Sequence, residues 1–178
     1  MSGGADGHVI GVAVPIPEPW GQELADARKL FGDPMAGLIP PHITLLPPTT
    51  LDDAVFVQVE DHLREVAAEQ SAFEVHLRGT GSFLPVSPVI FLALAGGISD
   101  FERLEQGVRR GPLERELHFP YHPHVTVAHD LPSAALQRAY DELADYESRF
   151  RVGSFQLYEH GDGGVWRSLR EFWLVDAG

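Results

Sequence analysis

Two tripeptides carry the chemistry of this sequence: His42-Ile43-Thr44 and His124-Val125-Thr126, each preceded by a proline, Pro41 and Pro123. Nine histidines and five threonines among 178 residues give roughly a quarter of one His-x-Thr by chance, so two copies need a cause. In a strand, side chains i and i+2 leave the same face about 6.6 Å apart, which sets each imidazole beside a hydroxyl. Ile43, Leu45, Val125 and Val127 then turn the other way, into a core. Imidazole titrates near neutral pH and can give or take a proton, while a threonine hydroxyl can donate to an oxygen that gains negative charge. Two such pairs around one cleft would surround a phosphoryl group with two acid–base groups and two donors. Turning four polar side chains inward costs desolvation unless a ligand or network satisfies them.

The elements that must position these residues follow from hydropathy and punctuation. Val9–Val14 is apolar on both faces and reads as a buried central strand, followed by a helix with Pro19 near its start, Leu24, Ala27 and Leu30 inward, and Gly32 past its end. The first motif lies in a short proline-fenced strand. Thr50 is then expected to cap a long helix with Leu51, Val55, Val59, Leu63 and Val66 buried. Phe73–Leu77 and Val89–Ala95 read as antiparallel strands across a Gly- and Pro-rich loop, with Gly79-Thr80-Gly81 a turn. Ser99 and Glu102 suggest a capping box for a helix carrying Phe101, Leu104 and Val108, which Gly111-Pro112 ends. After the second motif, a helix with Leu136, Tyr140 and Leu143 inward and two strands, Phe150–Tyr158 and Glu171–Val175, complete the chain.

The order motif strand, helix, strand, core strand occurs twice, with Phe73-Glu74-Val75 matched to Phe150-Arg151-Val152. This predicts one α+β domain over residues 1–178, bilobal and duplicated about a pseudo-twofold axis. Two antiparallel sheets would face a central cleft, with helices outside.

Composition limits the function. At 44% hydrophobic and 22% charged, the chain suits a folded domain, and its lack of cysteine excludes disulfides, thiolate metal sites and a cysteine nucleophile. A net charge of −13 repels an extended polyanion, so extended nucleic-acid binding is not expected, whereas a nucleotide or one RNA end can be held by local donors. No basic residue precedes Arg28 and no apolar run is long enough to span a bilayer, which predicts a cytoplasmic, membrane-free protein, expected as a monomer.

The paired His-hydrophobic-Thr motifs in an α+β chain of this length resemble the 2H phosphoesterase superfamily, in particular its 2′-5′ RNA ligase-like branch. The resemblance covers Val9 to Val175. It implies a bilobal antiparallel fold, no cofactor, no required metal, and hydrolysis of 2′,3′-cyclic phosphates of nucleotides or RNA ends to 2′-phosphates, with 2′-5′ ligase or phosphodiesterase activity in some members. Carried over by position, His42, Thr44, His124 and Thr126 are catalytic, with His124 as base for water and His42 as acid for the leaving group. The sequence departs from RNA-handling members in having one lysine, Lys29, and in continuing the second motif as Ala128-His129-Asp130.

Phe83, Tyr121, Tyr158 and Trp166 border the motif strands and could stack on a base. His129 and Arg167 are further substrate-binding candidates. Arg78 and Arg170 could also reach the cleft. His8, His62, His76 and His160 have no motif context. Two rival readings stand beside the phosphoesterase: a metallohydrolase built on His118, His122, His124, His129 and Asp130, and a nucleotide-binding or regulatory module that uses the same cleft without turnover.

Overall fold

Strands β1 (His8–Pro15), β2 (His42–Leu51), β3 (Phe73–Ser82), β4 (Val89–Gly96), β5 (His124–His129), β6 (Glu147–Val152), β7 (Ser154–His160) and β8 (Trp166–Trp173) alternate with helices α1 (Trp20–Leu30), α2 (Asp53–Ala68), α3 (Ile98–Val108) and α4 (Ser133–Glu142). The computed structural model describes residues 7–176. All eight strands join one antiparallel sheet in the order β6-β3-β4-β5-β2-β1-β7-β8. The fold is therefore α+β as expected, but the two expected sheets are hydrogen-bonded into one. The two motif strands are the seam, and Ile43 opposite Val125 is their register pair.

The sheet must curl. Gly153 alone separates β6, at one edge, from β7, next to the other edge, and a link of that length spans about 7 Å at most. Ala72 N–H donates to the Val175 carbonyl at 2.8 Å and Val175 N–H to the Gln70 carbonyl at 2.9 Å, which ties the segment after β8 to the segment before β3. The sequence merged β6 and β7 into one strand because the apolar alternation continues across Gly153. The strands that carry Phe73 and Phe150, β3 and β6, lie side by side as partners, with Phe73 opposite Val152 and Val75 opposite Phe150.

One apolar cluster fills the face of the sheet turned to the helices. Ile43, Leu45, Val125 and Val127 enter it, with Leu63 from α2, Phe101 and Leu104 from α3 and Leu136 from α4. Each of the larger side chains contributes about 1.5–3 kcal/mol of transfer free energy when fully buried. The opposite face carries the motif polar groups.

Both motif strands break the strict alternation at the same place. The register shifts so that Thr44 opposes Ala13 while Leu46 opposes Val12, and Thr126 opposes Phe91 while Ala128 opposes Ile90. Leu45-Leu46 and Val127-Ala128 are consequently consecutive buried residues, the mark of a bulge, which bends each strand just past its threonine.

Several local expectations are corrected. Thr50 does not cap α2: Thr49 and Thr50 are ladder partners of Ile10 and Val9, so β2 runs on and the Asp52 carboxylate accepts from Val55 N–H at 2.9 Å instead. Pro47 and Pro48, which have no N–H, lie in the irregular stretch of that ladder. Helix α3 starts one residue before Ser99, so Ser99 is inside its first turn and Gly97 is the uncapped flanking residue. Gly79-Thr80-Gly81 belongs to β3, where the register shifts between Leu77 and Thr80, and does not form a free turn. On α4 the buried stripe uses Ala139, leaving Tyr140 39% exposed.

Candidate active site

The seam determines which side chains meet. With Ile43 opposite Val125, the antiparallel register sets His42 across from Thr126 and Thr44 across from His124, all four on the face away from the core. The two histidines occupy diagonal positions, which in such a ladder lie about 7–8 Å apart. Their flanking partners are small or flat: Ala13 beside Thr44, Pro15 beside His42 and Ala93 beside His124. Thr44 and His124 line an open cavity, while Thr126 has Phe91 beside it.

Both imidazoles are fixed in the same way. His42 Nδ1 lies 2.8 Å from the Pro40 carbonyl and His124 Nδ1 lies 2.6 Å from the His122 carbonyl. A carbonyl can only accept, so each Nδ1 carries the proton and each neutral ring presents an unprotonated Nε2. The acceptor in both cases is two residues back, across the proline that precedes the motif. Burial pushes the His42 pKa down to about 4, opposed by the Pro40 bond and assisted by the charges of Arg28 and His124. His124 is lowered too, first by burial, then with the Pro40-like bond to His122 opposing and the charge of His122 adding. Desolvation dominates at both rings and favours their neutral forms.

Aromatic rings flank each histidine. Trp166 lies against His42, with ring centroids 4.6 Å apart, and is backed by Tyr158 at 5.2 Å and His160 at 4.9 Å. Phe83 and Phe91 meet His124 edge-on at 5.0 and 5.4 Å. Tyr121 OH donates to the Thr44 carbonyl at 2.7 Å, and burial raises its pKa. Phe83, Tyr121 and Trp166 are thus brought to the motif residues. Tyr158 is buried behind Trp166, with its phenol pushed up to about 12 by burial, so it supports the indole and offers no open face to a base.

The structure leaves the other two candidates outside this group. His129 sits at the far end of β5, about 16 Å along the strand from His124, and is exposed. Arg167 opposes Glu159 in the β7–β8 ladder and forms an ion pair with it, one residue out of step with the face that carries Trp166. Arg170 is paired with Glu60 of α2 at 3.2 Å. His118, His122, His124, His129 and Asp130 do not assemble the rival centre: among the described residues no three His, Asp, Glu or Cys side chains are grouped to hold a metal ion.

Sequence reasoning missed four contributors. Phe91 was hidden in an apolar run read as core. The carbonyls of Pro40 and His122 carry no side-chain signature, although the shared Pro-His spacing could have directed attention to them. Arg28, in a helix remote in sequence, is buried: its Nη1 donates to the Ile39 carbonyl at 2.7 Å, next to the residue that holds His42.

Residues 15–164 match the model of the 2'-5' RNA ligase superfamily. A protein of Geobacillus sp. (strain WCH70), provisionally named a phosphoesterase, is 30% identical over 85% of this chain and 88% of its own length. One from Halalkalibacterium halodurans, named in the same way, is also 30% identical, over 86% and 90%. Among solved structures, LigT of E. coli complexed with 3'-AMP superposes with a TM-score of 0.69 at 16% identity, covering 96% of this chain and all of that one. TT0787 of Thermus thermophilus gives 0.62 at 22% identity, covering 96% of this chain and 100% of its own. The identities to the solved structures speak for the fold, and the family match spans most of the sequence. The chain belongs to the 2'-5' RNA ligase superfamily.

Proposed function

We propose that the cleft over the β2–β5 seam hydrolyses phosphodiesters, opening 2′,3′-cyclic phosphates of nucleotides or RNA ends to 2′-phosphates, with His42, Thr44, His124 and Thr126 as the catalytic residues. The observation that carries this reading is the pair of imidazoles on one face of one sheet, each with Nδ1 bonded to a carbonyl so that Nε2 is the atom left to exchange protons. In-line displacement at phosphorus needs a base for the entering water and an acid for the departing oxygen on opposite sides, and diagonal histidines supply both.

The electrostatics favour one assignment. Burial lowers the pKa of both rings, and His42, pushed down to about 4, is the neutral one that takes the proton from water on Nε2. His124 must enter the reaction protonated on Nε2 as well as Nδ1, and gives the Nε2 proton to the leaving oxygen. This reverses the roles implied by family resemblance. Thr44 and Thr126 donate to the non-bridging oxygens as their charge grows. The LigT structures with 3'-AMP and with ATP support a ligand of nucleotide size, and the net charge of −13 disfavours a long nucleic acid.

The test is a panel of 2′,3′-cyclic mononucleotides, cyclic-phosphate-ended oligonucleotides, ADP-ribose cyclic phosphate and 2′-5′ dinucleotides, with phosphorus NMR reading the product position. His42→Ala and His124→Ala are each expected to lower turnover by about 10²- to 10⁴-fold with the fold retained. Near-wild-type rates in either variant, at matched stability, would refute the mechanism. Turnover unaffected by chelator is expected, and its loss on chelation would favour the metallohydrolase. Tight nucleotide binding with no turnover of any member would favour the binding module.

A further inference from the structure

Beside Thr44 and His124 opens a cavity of about 590 Å³ that the two-histidine reaction does not itself require. Its walls are Leu46, Phe83, Val86, Leu117, Phe119 and Tyr121, contributed by β2, the β3–β4 connection and the segment before β5. Val86 is 77% and Phe119 71% exposed, so apolar side chains are held in water at its mouth. Isolated exposed apolar residues are ordinary, but here they rim a concavity whose interior is also apolar and which ends at an acid–base group.

Three of the polar groups that border the cavity are already engaged. Glu105 is paired with Arg109 at 2.6 Å, Tyr121 OH is used by the Thr44 carbonyl, and Ser82 Oγ accepts from Leu84 N–H at 3.1 Å. A nucleobase placed here would desolvate its polar edge against groups already satisfied. A hydrocarbon surface has nothing to lose in the same place. Arg115 also lines the cavity and adds positive charge to its wall, which suits an anionic substrate.

We propose that the cavity holds a hydrocarbon arm, so that beside cyclic phosphates the site takes acyclic phosphodiesters with one alkyl or aryl ester group lying between Phe83 and Phe119. This rests on the phosphodiesterase reading above and names its substrate class. Water forms the new P–O bond and its proton passes to His42 Nε2. The P–O bond to the arm breaks, and the arm oxygen takes a proton from His124 Nε2, at the cavity end of the site. The products are a phosphomonoester and an alcohol or phenol, and solvent returns the proton from His42 to His124.

Methyl, butyl and hexyl esters of one nucleoside monophosphate provide the test, because they differ in chain length with nearly constant leaving-group chemistry. The value of kcat/KM should rise at least 10-fold from methyl to hexyl, and Phe119→Asp, at an exposed position, should bring the hexyl-to-methyl ratio close to one. Calorimetric titration with hexylphosphonate and methylphosphonate reads binding without turnover, and the hexyl compound should bind at least 10-fold tighter. A flat ester series with equal phosphonate affinities, in a protein that still opens cyclic nucleotides, would overturn the apolar arm and leave the phosphodiesterase standing. Tighter hexylphosphonate binding without turnover of any ester or cyclic nucleotide would uphold the apolar subsite while the phosphodiesterase reading failed. Cyclic-nucleotide turnover that Phe119→Asp cripples, beside a flat ester series, would assign the cavity to a base and overturn the proposal.

Discussion

Arg28 and Asp33 form a buried ion pair, with the guanidinium Nη2 and Nε 2.8 and 3.0 Å from one carboxylate oxygen. The third guanidinium nitrogen donates to the Ile39 carbonyl, and the next carbonyl, that of Pro40, accepts the hydrogen bond from His42 Nδ1–H. A charged fork buried in helix α1 thus fixes the loop that aims a histidine on β2. Breaking a buried pair from one side costs about 3–5 kcal/mol, because the other charge is left uncompensated. Arg28→Met should lose stability on that scale in urea titrations. Arg28→Lys keeps the charge and loses the planar fork, so it should recover part of the stability while turnover stays depressed. Equal turnover in Arg28→Lys and wild type would show that the fork does not position His42.

The pKa of His42 gives a pH prediction with a definite sign. The folded ring titrates at about 4 against 6.5 unfolded, so between those values the unfolded chain binds more protons. Its contribution to stability is present above pH 6.5, falls as pH drops, and is gone below about 4, with a slope no steeper than about 1.4 kcal/mol per pH unit. Urea unfolding from pH 7 to 4 should show a shallower loss in His42→Asn than in wild type. The acid limb of kcat/KM, set by the free enzyme's base, should lie well below 6.5 if His42 is that base. An acid limb near 6.5 would return the base role to another group.

The motif residues were legible because two independent signals coincide in them: period-2 alternation identifies the face, and the repeated His-x-Thr pattern singles out the residues. His42, Thr44, His124 and Thr126 do share one face, and Phe83, Tyr121 and Trp166 do lie against them. His129 and Arg167 were chosen by nearness along the chain, which does not measure distance across a curled sheet. The merging of β6 with β7 and the division into two sheets have one cause. Local hydropathy reports which residues are buried, whereas strand order depends on the closure at Gly153 and on the register at Ile43 and Val125, both long-range properties. The bulges after Thr44 and Thr126 were present in the sequence as adjacent apolar pairs, Leu45-Leu46 and Val127-Ala128, and could have been read from them.

Thr44 and Thr126 are not equivalent in their surroundings. Thr44 lines the apolar cavity and its backbone is held by Tyr121, while Thr126 faces Phe91 across the ladder. If both hydroxyls donate to the phosphoryl oxygens, Thr44→Val and Thr126→Val should each remove about 2.7–4 kcal/mol of transition-state stabilisation, read as lower kcat with little change in KM. Undiminished kcat in both would reduce the hydroxyls to a structural role. Tyr121→Phe should act through Thr44 alone, with a stability cost of about 0.5–1.5 kcal/mol for the lost bond.

Gly81 allows the Phe91 ring to lie over β3. A Cβ added at Gly81 would stand 2.5 Å from two ring carbons of Phe91, closer than packed atoms come, and the ring has little freedom to withdraw. Phe91 is buried, touches Phe83 with centroids 4.4 Å apart, and meets His124 at 5.4 Å. Gly81→Ala should therefore cost about 1–3 kcal/mol by overpacking, and the strain should pass through Phe91 to the imidazole of His124. Replacing the ring with a smaller side chain removes the obstacle, so Phe91→Leu in the Gly81→Ala background should restore stability relative to Gly81→Ala alone. In a double-mutant cycle the coupling energy should be favourable, about 0.5–3 kcal/mol for groups in contact. Turnover measured on the same four proteins separates packing from catalysis. If Gly81→Ala lowers kcat while the double variant regains stability but not rate, the Phe91 ring orients His124. If rate and stability recover together, Phe91 only fills space beside it.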